Sequence, residues 1–155
     1  MRNYVVLAIA LILVGCATPV ERVASTPSGS PEVTINADIQ SVRNAVINRV
    51  LSYDGGYSLI SQTDNLLEFE RTLTGTGESM VAALSVGNSY SNNTRVLRIN
   101  LINSGNNQVR VIAKNYMKAV MVGGQVNMEP LESNNVFNLY YNDFQKLKQE
   151  LELAN

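Results

Sequence analysis

The chain of 155 residues has no histidine, no tryptophan and a single cysteine, Cys16. Without histidine it lacks the commonest general base and the commonest metal ligand. With no histidine and no second cysteine, a zinc site of the usual donors cannot be built. Neither a Ser-His-Asp nor a Cys-His arrangement is possible. No disulfide can close within the chain, so the fold must rest on a packed core. A basic excess is missing as well: 12 basic side chains face 13 acidic ones, which leaves no electrostatic footprint for nucleic acid. The expectation is a protein without metal, cofactor or nucleic-acid partner, and not an enzyme.

What is present begins at the N-terminus. Arg2 is followed by an apolar run from Tyr4 to Val14 and then by the small Gly15 before Cys16. Charge, short apolar run and small residue are the order of a secretory signal peptide. The run falls short of the roughly 20 residues that a spanning helix needs. The four residues Leu13-Val14-Gly15-Cys16 resemble the lipobox of bacterial lipoproteins. That resemblance implies cleavage between Gly15 and Cys16, a diacylglyceryl group on the Cys16 thiol and an acylated amine. Each buried methylene of such chains contributes about 0.8 kcal/mol, and two or more chains give stable anchoring. In lipoproteins of Gram-negative bacteria an aspartate after the cysteine favours inner-membrane retention. Ala17 stands there in this chain, which implies an outer-membrane anchor with the domain facing the periplasm. Losing residues 1–15 removes Arg2 alone among the charged residues, leaving 11 of the 12 basic side chains against 13 acidic ones.

Three segments are expected: a signal peptide over 1–15, the lipidated cysteine with a flexible tether over 16–31, and one domain over 32–155. The tether carries three of the four prolines, with several serines and few apolar residues. A chain of that kind and length has a reach of about 20–25 Å. The roughly 120 residues that follow suffice for one core and not for two.

Within the domain, EVTIN (32–36) alternates as a short strand. Ile39, Val42, Val46, Val50 and Tyr53 recur at steps of three and four, which predicts a helix. Asn36 or Asp38 can cap it, and Asp54-Gly55-Gly56 ends it. Strands are expected over 57–61, 66–73, 79–90, 95–103 and 108–122, the last irregular near Asn115. SGNN (104–107) has hairpin-turn chemistry. Residues 123–132 read as a loop. A final helix starts near Ser133 or Asn134, with Phe137, Tyr140, Phe144, Leu147 and Leu151 as its buried stripe. Helices separated in sequence from a meander predict an α+β fold of two layers, with an antiparallel sheet of about five to six strands packed on an N-terminal and a long C-terminal helix. This order of elements, over about residues 32–153, resembles helix-grip domains, including those of the lipoprotein C subunit of the β-barrel assembly machine.

Few residues suggest a working site. TGTG (74–77) lacks the lysine and the flanking helix that a phosphate loop needs, and a hairpin turn accounts for it. Glu68 and Glu70 share one face of their strand, where cross-strand pairing with arginines is the simplest account. Arg95, Arg98 and Arg110 lie on adjacent strands and could form a basic stripe. Met121 and Met128 could supply adaptable apolar contacts on the rim of a groove. Arg98, Arg110, Met121 and Met128 are therefore the candidate interaction surface, beside Cys16 as lipidation site and Gly15-Cys16 as cleavage site. The expected function is that of a membrane-anchored lipoprotein acting non-enzymatically, as an envelope accessory or protein-interaction module with an envelope protein as partner. The alternative is an apolar-ligand or lipid-binding module with a cavity between the sheet and the C-terminal helix.

Overall fold

Two short polar side chains start the helices. In the computed structural model, which describes residues 19–73, 94–120 and 124–154, Asp38 Oδ1 accepts the backbone N–H groups of Gln40 and Ser41, both at 2.9 Å. It caps helix α1, Ile39–Leu51. Ser133 Oγ accepts the Val136 N–H at 3.2 Å and caps helix α2, Asn134–Leu153. Each cap satisfies N–H groups that have no partner within the helix. Helix α1 buries Val42, Val46 and Val50. Helix α2 buries Phe137, Tyr140, Phe144 and Leu147. The expected stripe of α1 ran on to Tyr53, but the helix ends at Leu51 with Ser52 as its cap. Gly55 and Gly56 then take φ of +117° and +69°, a region open to glycine at little cost. Tyr53 thereby leaves the helix for the turn.

The strands are β1 (Glu32–Asn36), β2 (Ser58–Gln62), β3 (Leu66–Thr72), β4 (Thr94–Gly105), β5 (Gln108–Val120) and β6 (Val126–Pro130). All neighbours are antiparallel, in the order β1-β5-β4-β3-β2. Strand β6 pairs with the C-terminal half of β5, in line with β1 along the same edge. The β4–β5 turn runs through Asn106 and Asn107 at φ 49° and 58°, the left-handed pair that a two-residue hairpin requires.

Two expectations need correction here. Residues 123–132 contain strand β6. Val126 and Met128 alternate with Asn127 and Glu129, and the free edge of β5 supplies their backbone partners. The flanking glycines and Pro130 hide so short a strand from a reading of propensity. Asn115 marks no bulge; register shifts fall at Leu59/Ser61 and Asn103/Gly105. At Asn115 the edge partner of β5 changes instead. The Ala113 N–H donates to the Pro31 carbonyl and the Leu131 N–H to the Asn115 carbonyl, both at 2.9 Å. The expected strand 79–90 lies outside the described residues.

Alternation along the strands divides the sheet into two faces. Ile35, Leu67, Phe69, Leu97, Ile99, Leu101 and Val111 are fully buried against α1 and α2. Burying each such side chain contributes about 1.5–3 kcal/mol. Among the described residues no helix covers the other face. The chain is thus an α+β protein of two layers, an antiparallel sheet under an N-terminal and a C-terminal helix.

Much of the stretch read as a flexible tether is hydrogen-bonded to the domain. Asn134 and Asn138, one turn apart on α2, hold the backbone of residues 20–23. Asn134 Nδ2 donates to the Val20 carbonyl and Asn138 Nδ2 to the Glu21 carbonyl, both at 2.7 Å. The Val23 N–H returns a bond to Asn138 Oδ1 at 2.9 Å. The Arg22 guanidinium lies 4.8 Å from the centre of the Phe137 ring and bonds the Asn134 and Gly29 oxygens. Composition cannot reveal partners more than a hundred residues away. Replacing both Asn134 and Asn138 by alanine removes bonds of about 0.5–1.5 kcal/mol each. Hydrogen exchange and limited proteolysis should then show residues 20–30 opened while α2 stays protected. Equal protection in wild type and double variant would refute the strap.

Candidate functional site

The turn that ends α1 builds one wall of a cleft. Glycines 55 and 56 bring Tyr53 and Tyr57 against Tyr140 of α2. The Tyr53 ring meets those of Tyr57 and Tyr140 edge-on, at 6.3 and 6.1 Å between centroids. The Tyr57 and Tyr140 hydroxyls share a hydrogen bond of 3.2 Å. The Tyr53 hydroxyl donates to the Asp143 carboxylate, and Arg49 lies 3.7 Å from the other oxygen of that carboxylate.

The opposite wall comes from the sheet. Arg71 on β3 and Arg95 on β4 are direct cross-strand partners. Both have the parity of the core positions Phe69 and Leu97, so both point to the helix side of the sheet. Arg71 Nη1 reaches the Asp54 carbonyl at 3.5 Å, and its guanidinium stands 6.0 Å from the Tyr57 ring centre. A Cβ at position 55 would come within 2.3 Å of Arg71 Nη1, so the turn needs glycine there for room as well as for φ. Arg95 Nε is buried and has no hydrogen-bond partner. Leu139, Asn142 and Lys146 of α2 complete a cleft of about 440 Å³ between the sheet and the C-terminal helix.

Burial pushes the Tyr53 hydroxyl well above the ordinary value of 10.0, and the bond to Asp143 adds to the shift. Burial likewise raises Tyr140, with its bonded neighbour Tyr57 as the next cause. Both phenols stay protonated and act as hydrogen-bond donors and acceptors. Guanidinium, ammonium and phenol donors surround the cleft, an arrangement suited to holding an acceptor-rich group.

A second, smaller cavity of about 260 Å³ lies at the seam between β1 and β6, beneath Arg22 and beside Asn115, Leu131 and Phe137. The Asn115 side-chain oxygen is buried there without a partner. Among the described residues no cluster of three acidic or thiol side chains could hold a metal ion, and no helix is long and apolar enough to cross a membrane.

The sequence-predicted interaction residues divide. Arg98 and Met128 meet on the helix-free face. Arg98 pairs with Glu68 at 2.5 Å, lies over the Tyr116 ring at 5.2 Å and approaches the Met128 sulfur at 3.8 Å. Arg110 shares that face further along β5, opposite Thr34 and Ile102. Met121, Gly15 and Cys16 lie outside the described residues. Arg95 does not join the stripe expected with Arg98 and Arg110, because its odd number gives it the opposite face. Glu68 and Glu70 are paired with Arg98 and Lys118, the cross-strand arrangement expected of them. The cleft residues Tyr53, Tyr57, Arg71, Arg95, Tyr140, Asp143 and Lys146 were not anticipated as a site. One signal could have found it: arginines at positions 71 and 95 where strand parity calls for a core residue.

Comparison with family models, with curated proteins and with solved structures finds no match for this chain.

The tyrosine shifts have a checkable consequence. A phenol whose folded-state value lies above its unfolded one contributes stability that is intact below about pH 10 and is lost as the pH rises further. An absorbance titration of the folded protein should therefore find Tyr53 and Tyr140 still un-ionised well above pH 10. Stability should fall over the same alkaline range, less steeply in Tyr53→Phe. Ionisation of all seven tyrosines near pH 10 in the folded protein would refute the assignment.

Proposed function

We propose that the chain is a lipid-anchored envelope protein that acts non-enzymatically, by binding, and that its working site is the cleft between the sheet and α2. The observation that supports this reading most strongly is the cleft itself. Its volume of about 440 Å³ falls within the range of roughly 300–1,000 Å³ of ligand sites. It combines aromatic walls with several converging polar groups, as such sites do. Tyr53 and Tyr140 in its wall are poor bases, since burial holds them protonated. The tether beginning at Cys16 supplies the address, an outer-membrane anchor with the domain on the periplasmic side.

A second reading has its own support. Arg98, Tyr116 and Met128 form a contiguous group on the helix-free face, where an arginine, an aromatic ring and a thioether are the residue types favoured at protein interfaces. On this reading an envelope protein docks there, and the domain serves as an accessory subunit.

The anchor is tested by intact-mass analysis of the protein extracted from membranes of its host. The expected chain begins at Cys16 and carries a diacylglyceryl group with a third acyl chain, and Cys16→Ser takes up no labelled palmitate. A chain that still begins at Met1, or a cleaved chain with a free thiol, would refute the anchor. Photocrosslinkers at Leu139 in the cleft and at Met128 on the sheet then separate the two binding readings. Capture of a small molecule from Leu139 alone supports the cleft. Capture of one dominant envelope protein from Met128 alone supports the interface.

A further inference from the structure

One stretch of β5 carries backbone groups that the sheet does not use. Alternate residues of a strand turn their N–H and C=O toward the same edge, and Ala113 and Asn115 both face the edge shared by β1 and β6. The Ala113 N–H donates to the Pro31 carbonyl, and the Asn115 carbonyl accepts the Leu131 N–H. The two remaining groups fall in the seam between the strands. The ladder to β1 would pair the Ala113 carbonyl with the N–H of residue 31, but that residue is proline and has none. The ladder to β6 stops at Tyr116↔Pro130, and the Asn115 N–H meets no acceptor among the described residues. The seam opens on the cavity of about 260 Å³. Asn115, only 7% exposed, holds its side-chain oxygen there unbonded as well. Arg43, Arg95 and Arg110 each leave a single Nε unbonded, apart from one another, and a lone nitrogen of that kind marks no site. At the seam three groups of two residues converge on one cavity. Buried backbone groups are paired with few exceptions, so this set has room for a partner from outside the chain. The outer edge of β1 shows the contrast: Lys148 donates to the Thr34 carbonyl, and Glu152 accepts the Asn36 N–H.

We propose that the seam between β1 and β6 is a binding site for a primary carboxamide. The Ala113 carbonyl, the Asn115 N–H and Asn115 Oδ1 present acceptor, donor and acceptor. A primary amide is their complement, with two N–H groups and one carbonyl. It donates to the Ala113 carbonyl and to Asn115 Oδ1, and its oxygen accepts the Asn115 N–H. It does so uncharged, which spares the cost of carrying an ion into a partly apolar cavity. A carboxylate has no donor for the two acceptors, and an ammonium has no acceptor for the N–H. Leu131, Val136 and Phe137 supply apolar wall beside the polar groups. A cavity of about 150 Å³ already admits benzene, so this one has room for an amide on a body of that size. The amide can belong to a small molecule or to a glutamine or asparagine side chain of a peptide.

Isotope-labelled full-length protein in detergent is titrated with benzamide and, separately, with an end-capped Ala-Gln-Ala peptide, and its amide NMR signals are followed. The Asn115 backbone N–H should shift saturably as it gains an acceptor, while the amides of Tyr53 and Lys146 in the cleft stay in place. Pro31→Ala restores the N–H that the Ala113 carbonyl lacks and closes that acceptor from within the sheet. It should weaken binding about fivefold or more, as the loss of one hydrogen bond implies. Asn115→Leu, which keeps the side-chain size and removes Oδ1, should weaken it by about the same factor. Circular dichroism checks that both variants are folded. Benzoate, which keeps the ring and replaces the amide by a carboxylate, should not saturate the Asn115 signal. Saturation by benzamide identifies a free amide as sufficient, and saturation by the peptide alone identifies an amide carried on a chain. The proposal is overturned by no saturation with either probe, by shifts confined to the cleft, by benzoate binding as tightly as benzamide, or by unchanged affinity in Pro31→Ala.

Discussion

The β4–β5 ladder sets what every other part of the domain can do. These two strands are the longest, they occupy the middle of the sheet, and their register runs unbroken from Thr94↔Lys118 to Asn103↔Val109. Because side chains alternate, a slip of one residue would exchange the two faces completely. Leu97, Ile99, Leu101, Val109 and Val111 would then point to water. Their burial under both helices, at about 1.5–3 kcal/mol each, holds the register. The register in turn assigns Arg98, Lys114 and Lys118 to one face and Arg95 to the other. The Asn106–Asn107 turn reinforces it locally, since its two left-handed residues join the strands in one register.

Arg95 follows from that constraint as a necessity. It stands two residues before Leu97 on the core face, at the end of the sheet where the main cluster of buried apolar side chains gives way. A guanidinium cannot be left in a dry core without partners, and the structure answers by making this end of the core polar. The glycine turn after α1 places Tyr53 and Tyr57 there, and α2 contributes Tyr140, Asp143 and Lys146. Tyrosine suits a boundary of this kind, with a ring to pack and a hydroxyl to bond. The cleft is therefore the place where the hydrophobic layer stops and the arginines of β3 and β4 begin. Its chemistry is continuous with the packing of the fold.

Much of this architecture was legible in the residues. Steps of three and four in Val42, Val46 and Val50, and in Phe137, Tyr140, Phe144 and Leu147, marked both helices. Alternation marked β1, β3, β4 and β5, and the turn chemistry of residues 104–107 marked the hairpin. Strand β6 was not legible, because its stability comes from the open edge of β5 and its own sequence carries Gly and Pro at its borders. The cleft was not legible because its members are spread from Tyr53 to Lys146 and meet only through folding. Even so, strand parity already separated Arg95 from Arg98, and grouping them by residue type concealed the difference. The Asn134 and Asn138 clamp was invisible for the same reason as the cleft: its partners at residues 20–23 lie at the far end of the chain.

That clamp changes the geometry of attachment on the proposed anchor. A free tether of about fifteen residues would let the domain wander some 20–25 Å from its lipid. With Val20 held on α2, only residues 17–19 remain between Cys16 and the first clamped position, and such a segment spans at most roughly 14 Å when fully extended. On that proposed anchor the N-terminal end of α2 would be kept against the membrane surface, and the domain would be oriented as well as attached. The clamp consists of exposed hydrogen bonds and one cation–π contact, each of modest strength, and it is separate from the core. It can open without unfolding the sheet. Opening would return about ten residues to the tether and raise the domain off the bilayer, so short polar contacts on one helix flank set how far from its anchor the domain can work.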